Sequence, residues 1–288
     1  MSINHINANS KKEFQLFLWF FMGYAMCYLI TLLGDYFSIT ISYWISELDQ
    51  EVSFVIPAQD LIEIFLMGPV FSVITWKVFK SIFLDEQILL KEKLSTKWIT
   101  ALEVIFFVSV CTMCLGNAIH KVVNDLNRRA FDVTKILSDP LYADLYYAIY
   151  FWDEIFGHMA LAVPLMILMS MFMGGLLFSP PSRDLKWFEW LFITLVGIGY
   201  GIVWFYGFAE GQATFVLLLI NVGLVLFIVA TKFKKKKCIR DHPFVWVVLI
   251  EALIFITCSI IWGLITGLKP YYPFFKQPGE ELWIKLKF

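Results

Sequence analysis

Long apolar stretches alternate with short polar ones along most of the chain. A helix needs roughly 20 mostly apolar residues to cross a hydrocarbon core that is about 30 Å thick. Continuous apolar runs of this length are typical of membrane helices, whose backbone groups are hydrogen-bonded within the segment, and not of barrel strands, which alternate. The pattern predicts an all-α, polytopic membrane bundle of about seven helices in a single transmembrane domain over 1–288, with spans at Phe14–Gly34, Leu61–Phe79, Trp98–His120, Leu145–Leu177, Trp187–Phe208, Ala213–Ala230 and Phe244–Leu268.

The composition strengthens this interpretation. Hydrophobic residues make up 59% of the 288 residues, charged residues make up 16%, and the mean hydropathy is +0.72. A soluble domain usually has about 25% charged residues, so this chain has too little polar surface to cover a soluble core. We expect its main partner to be the lipid bilayer, most simply that of a cell (plasma) membrane. The net charge of −1 gives no reason to expect a nucleic-acid partner.

The distribution of lysine and arginine predicts the orientation. Short cytoplasmic loops carry an excess of these residues. The run Lys234–Lys237 follows the sixth predicted helix, whereas the first loop, over 35–60, has no lysine or arginine. The loop after the third helix is an exception, because it contains Lys121, Arg128 and Arg129. The run Lys234–Lys237 is the denser group of basic residues, and it favours a cytoplasmic N-terminus and an extracytoplasmic C-terminus.

Polar residues mark one face at the end of the third helix. Met113, Asn117, His120 and Asn124 follow the spacing of a single helical face, which becomes polar toward its end. Ionisable groups within a membrane are costly and usually face the interior of the bundle or an aqueous cavity. This face is therefore a candidate part of a functional site.

The fourth helix supplies a second polar group. Glu154 and His158 are four residues apart and share a face, and Asp153 lies about 100° around the helix from Glu154. Glu210 falls in the short turn between the fifth and sixth helices. In the predicted orientation these residues and His120 have a similar depth beneath the extracytoplasmic face, so they can converge if their helices are neighbours.

Such a group favours a metal-dependent enzyme as the leading hypothesis. Two imidazoles and a carboxylate, His120, His158 and Glu154, suit zinc or iron and leave a coordination position open. Asp153 or Glu210 would act as a catalytic base or an additional ligand. A metal-bound water is a nucleophile near neutral pH, which predicts a hydrolase acting on a lipid or small amphiphile.

Other functions fit the same residues. Asp153, Glu154 and Glu210 can line a proton or cation path in a transporter or channel, and a non-catalytic scaffold can use the polar groups to hold its helices together. His120 and His158 can also serve as axial haem ligands. Glu251, in the seventh predicted helix, is not explained by any site beneath the extracytoplasmic face.

Seven helices with His, Asp and Glu under one membrane face broadly resemble the metal-dependent membrane hydrolases that include alkaline ceramidases and adiponectin-type receptors. Those proteins share an H-x-x-x-H pair in the last helix, and the predicted helix Phe244–Leu268 contains no histidine. The resemblance therefore concerns architecture, and it assigns no ligand to a residue of this chain.

Overall fold

The computed structural model describes residues 15–23, 25, 26, 29, 38–45, 50–84, 94–130, 132–178, 186–210, 213–235 and 242–265. Within them the chain is helical apart from one hairpin and a few connecting residues. The elements are α1 (residues 15–23, with a π-helical turn at Leu18–Met22), β1 (Ser38–Ile45), β2 (Gln50–Pro57), α2 (Ala58–Leu84), α3 (Thr96–Ala130), α4 (Val133–Ser138), α5 (Pro140–Phe178), α6 (Trp187–Glu210), α7 (Thr214–Lys235) and α8 (Pro243–Ile265).

The predicted all-α membrane bundle is confirmed for the described residues. Six of their helices, α2, α3 and α5–α8, are long and apolar enough to cross a bilayer. The remaining predicted span, Phe14–Gly34, is described only at 15–23, 25, 26 and 29, which are helical. The rest of that span lies outside the described residues.

The strands β1 and β2 form an antiparallel hairpin, with Ser38 opposite Pro57 and Ile45 opposite Gln50. This hairpin was not predicted. It leads directly into α2, because β2 ends at Pro57 and the helix begins at Ala58. The hairpin therefore lies at the end of the bundle where α2 starts.

Local capping explains where α4 and α5 begin. The Asp132 carboxylate accepts hydrogen bonds from the backbone N–H groups of Thr134 and Lys135, and the Asp139 carboxylate accepts them from Leu141 and Tyr142. Pro140 follows Asp139 at the first position of α5, where its missing N–H has no cost. The carboxylates satisfy free N–H groups at both helix starts.

Besides α1, the helices α2 and α5 contain wide turns. In α2, π-helical turns cover Glu63–Met67 and Lys80–Leu84, and in α5 one covers Phe151–Gly157. Pro164 also lies inside α5. Turns of this kind rotate the following side chains relative to a regular helix and are frequent at functional sites.

The helices pack in two groups around a common apolar core. α3 packs extensively against α5 and also contacts α2, whereas α6 packs on α8, which also contacts α7. α5 contacts both α7 and α8 and thereby joins the groups. The core is rich in aromatic and methionine side chains such as Phe79, Phe172, Phe255, Met166 and Met173.

α3 and α5 are both longer than a bilayer requires. Their 35 and 39 residues correspond to about 52 and 58 Å of helix, against a core of about 30 Å. The end of α3 and the beginning of α5 pack against each other, and α4 packs on α5. The surplus length of both helices is therefore at one end of the bundle, the same end as the hairpin.

Candidate functional site

The centre of the candidate site is a hydrogen-bonded pair between α3 and α5. The His120 Nδ1 atom lies 2.9 Å from Oδ1 of Asp153. The Asn127 side-chain amide donates to the other carboxylate oxygen of Asp153 at 3.1 Å. Asp153 has no exposed surface, and the His120 side chain is 16% exposed. A buried carboxylate is thus held by two donors from a single neighbouring helix.

The π-helical turn at Phe151–Gly157 contains Asp153, and α3 approaches this turn closely. A Cβ atom at Gly157 would lie 2.9 Å from Cβ and 3.1 Å from Cα of His120. Real Cβ atoms essentially never come within 3.0 Å of such neighbours. Glycine at this position therefore permits the contact that brings His120 to Asp153.

A second imidazole lies beside the first. The ring centroids of His120 and His158 are 4.2 Å apart, with 59° between the ring planes. His158 Nδ1 lies 3.3 Å from the backbone carbonyl oxygen of Asp153 and 3.7 Å from a carboxylate oxygen of Glu154. His158 is 8% exposed, so both rings lie within the packed part of the bundle.

An ion pair between α2 and α3 continues this polar region. Lys121 Nζ lies 2.8 Å from Oε2 of Glu63, and both side chains are largely buried. Gln59 donates to the other Glu63 carboxylate oxygen at 3.2 Å, and Asn117 donates to the Glu63 backbone carbonyl at 3.1 Å. Lys121 is the residue after His120 in α3. These contacts therefore hold α2 against the part of α3 that carries His120.

The site lies where α3 and α5 leave the apolar part of the bundle. His158 is 20 residues before Phe178, and Lys121 is 24 residues after Lys97. These separations correspond to about 30 and 36 Å of helix, close to the thickness of a bilayer core. We refer to Glu63, Asn117, His120, Lys121, Asn127, Asp153, Glu154 and His158 as the boundary cluster.

The hydrogen bonds define which ring nitrogens carry protons in the neutral histidines. A carbonyl oxygen can only accept, so Nδ1 of His158 donates; with Asp153 ionised, Nδ1 of His120 donates as well. Each ring then keeps a lone pair on Nε2. The Nε2 atoms are therefore the available acceptor or ligand atoms of the two rings, and the His120 ring is hydrogen-bonded through Nδ1 to Asp153.

The structure brings four of the five predicted site residues together. His120, Asp153, Glu154 and His158 are neighbours, while the side chain of Glu210 lies outside what the structure describes. Asp153, and not Glu154, is the partner of His120. Among the described residues, no group of three or more His, Cys, Asp or Glu side chains is arranged to hold a metal ion.

Two members of the boundary cluster were missed by sequence reasoning. Lys121 and Asn127 follow the last predicted turn of the third helix, in a segment interpreted as a loop. Asn127 is seven residues after His120 and so occupies the same helical face. Extending the helical periodicity beyond the apolar run would have found it.

A second buried carboxyl lies far along the chain, in α8. Glu251 has no exposed surface, and neither of its carboxyl oxygens has a hydrogen-bond partner among the described residues. Its backbone carbonyl faces α6, where a Cβ atom at Gly201 would lie 2.8 Å from it. Glu251 therefore belongs to the packing of α6 against α8 and has no contact shown with the boundary cluster.

Comparison of the chain with protein-family models, with curated proteins and with solved structures finds no match.

Proposed function

We propose that this multi-pass membrane protein translocates protons, as a transporter or channel, and that Asp153 and His120 form its proton-accepting pair. The observation that carries the proposal is the fully buried Asp153 carboxylate, which His120 and Asn127 hold by hydrogen bonds inside a helix of spanning length. A buried ionisable pair at the edge of the apolar part of a bundle is suited to the entrance of an ion or proton pathway.

The geometry supports a relay through the imidazole. A proton arriving at Nε2 of His120 gives an imidazolium whose Nδ1–H already points at Oδ1 of Asp153. Release of the Nδ1 proton to that carboxylate restores a neutral ring and leaves a neutral carboxylic acid. The pair then holds one additional proton, on Asp153, and its starting state returns when one proton leaves the pair and Nδ1 is protonated again. The partial exposure of His120 provides a route for the first transfer.

Irregular helical turns support local movement at this site. The π-helical turns Glu63–Met67 and Phe151–Gly157 both carry residues of the boundary cluster. Turns of this kind are frequent at functional sites, and their wider hydrogen bonding can accommodate a local rearrangement. The lysine distribution predicts that this site opens toward the extracytoplasmic side.

The test is proton flux into liposomes containing the purified protein, driven by a potassium diffusion potential and reported by an internal pH-sensitive dye. Asp153→Asn is expected to reduce the flux roughly tenfold or more, because the amide cannot accept the proton from Nδ1. Asp144→Asn is the matched control, since Asp144 is an exposed acid on the same helix. Wild-type flux no greater than that of protein-free liposomes would overturn the proposal, as would unchanged flux in Asp153→Asn.

A second candidate function is the metal-dependent hydrolysis of a lipid or amphiphile. The supporting observation is that both histidines donate through Nδ1 to oxygen acceptors, which is how metal-binding histidines are commonly oriented. Their Nε2 atoms would bind zinc or iron, and further ligands would come from water, substrate or Glu210.

Elemental analysis of the purified protein tests this second function. A metal enzyme is expected to contain about one zinc or iron per chain, and His158→Ala should lose it. Asp144→Asn should retain the metal. Well-folded wild-type protein that binds neither metal would exclude the proposed metal centre.

A further inference from the structure

A cavity at the opposite end of α2 is independent of the boundary cluster. Its volume is about 370 Å³, and its walls come from α1 and from the last turns of α2. The polar part of the wall combines two ammonium groups with a hydroxyl and an amide. The lining includes Gln15, Leu16, Trp19, Lys77, Lys80 and Ser81.

The charged side chains among the described residues that line this cavity, Lys77 and Lys80, are both positive. Lys77 and Lys80 are exposed side chains, and within the part of the chain that the structure describes neither forms an ion pair with a carboxylate. Lys77 Nζ lies 4.7 Å from the centroid of the Trp19 ring, which holds the ammonium group at the cavity by a cation–π contact. Two ammonium groups with a neighbouring serine hydroxyl are suited to a phosphate group.

The position of the cavity matches the level of lipid headgroups. Lys80 is 17 residues after Glu63 in the continuous helix α2, a separation of about 26 Å. Glu63 belongs to the boundary cluster at one edge of the apolar bundle, so Lys80 lies near the other edge. Leu16 and Trp19 provide an apolar wall beside the two lysines.

We propose that this cavity binds the phosphate group of an anionic lipid. The lysines would contact the phosphate, Ser81 and Gln15 would donate hydrogen bonds to it, and the apolar wall would contact the glycerol and the first acyl carbons. Basic pockets between membrane helices bind lipid headgroups in this manner. The sequence analysis did not predict this site.

The test is native mass spectrometry of the full chain in a neutral detergent, titrated with dioleoyl phosphatidic acid or dioleoyl phosphatidylcholine. The wild-type protein is expected to bind phosphatidic acid in preference to phosphatidylcholine. Lys77→Gln and Lys80→Gln together should weaken phosphatidic acid binding roughly 30-fold, and each alone roughly fivefold. Lys97→Gln is the matched control, an exposed lysine that does not line the cavity, and it should bind like the wild type.

A separate calorimetric titration with inorganic phosphate distinguishes the two sources of the phosphate group. Binding of inorganic phosphate as tight as that of phosphatidic acid, with the same dependence on Lys77 and Lys80, would support the phosphate site but overturn its assignment to a lipid. Equal binding of both lipids, full retention in the double variant, or an equal loss in Lys97→Gln would each overturn the site itself. Thermal unfolding in the same detergent verifies that every variant is folded.

Discussion

Asp153 and Glu251 are both carboxyl residues without exposed surface in helices of spanning length, yet their surroundings differ. Asp153 receives hydrogen bonds from His120 and Asn127 and is near a second histidine. Neither carboxyl oxygen of Glu251 has a partner among the described residues. The two carboxyls therefore share full burial but differ in hydrogen bonding among the described residues.

The difference follows from what each helix packs against. α5 meets α3 through a polar face, so donors are available to Asp153. α8 meets α6 through close contacts of small and aliphatic residues, such as Gly201 against Ile254. An unsatisfied buried polar group costs about 1–3 kcal/mol, whereas a satisfied one becomes costly only when its partner is removed. Removal of the Asp153 carboxyl should therefore lower the free energy of unfolding, and removal of the Glu251 carboxyl should raise it.

The largest expected effect tests this difference in sign. Asp153→Ala should lower the free energy of unfolding by about 3–5 kcal/mol, because it leaves the His120 and Asn127 donors buried without an acceptor. Glu251→Met should raise it by about 1–3 kcal/mol, because an apolar side chain of similar length replaces a carboxyl without partners. Reversible unfolding in mixed micelles, followed by circular dichroism, measures both values.

A second measurement on the same two variants keeps stability separate from function. Proton flux in liposomes should be lost in Asp153→Ala and remain within about twofold of the wild type in Glu251→Met. A destabilised Glu251→Met protein would mean that Glu251 has a partner in the part of the chain outside the described residues. A loss of flux in that variant would place Glu251 on the proton path and remove the contrast between the two carboxyls.

Much of this architecture follows from the sequence, because bilayer thickness imposes a length on every apolar run. The six spans described by the structure overlap the predicted ones. The hydropathy pattern did not predict that α3 continues to Ala130, since its last turns are polar and leave the apolar part of the bundle. The sequence of β1 does contain a strand pattern, because Ser38, Thr40 and Ser42 alternate with apolar residues.

The pairing within the site was harder to predict. Regular helical spacing puts Glu154 on the face of His158 and turns Asp153 away. The structure keeps Glu154 beside His158 and also places Asp153, within the π-helical turn Phe151–Gly157, against His120. No residue in that segment forces a π-helical turn by its own conformational preference, so the turn depends on the packing of α3 against α5. Interhelical packing of this kind is not encoded in periodicity.

An intermediate effect on stability is expected from substitution of Gly157, which lies near Asp153, and of Gly201, which lies near Glu251. A methyl group at Gly157 would collide with His120, and one at Gly201 would collide with Ile254 and the Glu251 carbonyl. Gly157→Ala and Gly201→Ala should each destabilise the protein by about 1–3 kcal/mol. Flux should fall only in Gly157→Ala, since only that change displaces His120 from Asp153.

Gly174→Ala is the matched control for both, because a Cβ atom at Gly174 meets no neighbour within 4 Å. This change should stabilise α5 by about 0.5–1 kcal/mol through the lower flexibility of alanine in the unfolded chain. Reduced flux in Gly201→Ala at normal protein levels would show that packing of α6 on α8 also controls the proton site. Normal flux in Gly157→Ala would show that His120 and Asp153 tolerate a wider separation of their helices.

The smallest expected effect concerns the ion pair at the edge of the boundary cluster. A double-mutant cycle with Glu63→Gln and Lys121→Gln should give a coupling energy of about 1–2 kcal/mol, since both side chains are largely buried and 2.8 Å apart. The pair Asp132 and Lys135 is the control, because it is exposed and 3.9 Å apart. Its coupling should be about 0.2 kcal/mol, as for most exposed pairs.

This coupling energy reports the polarity of the environment directly beside His120. A value of about 1 kcal/mol or more that changes little with added salt requires a site shielded from bulk water. A coupling as small as that of Asp132 and Lys135, and lost with salt, would instead place the boundary cluster in open water. His120 would then exchange protons freely with solvent, and the contrast with the enclosed Glu251 would reflect hydration and not hydrogen bonding.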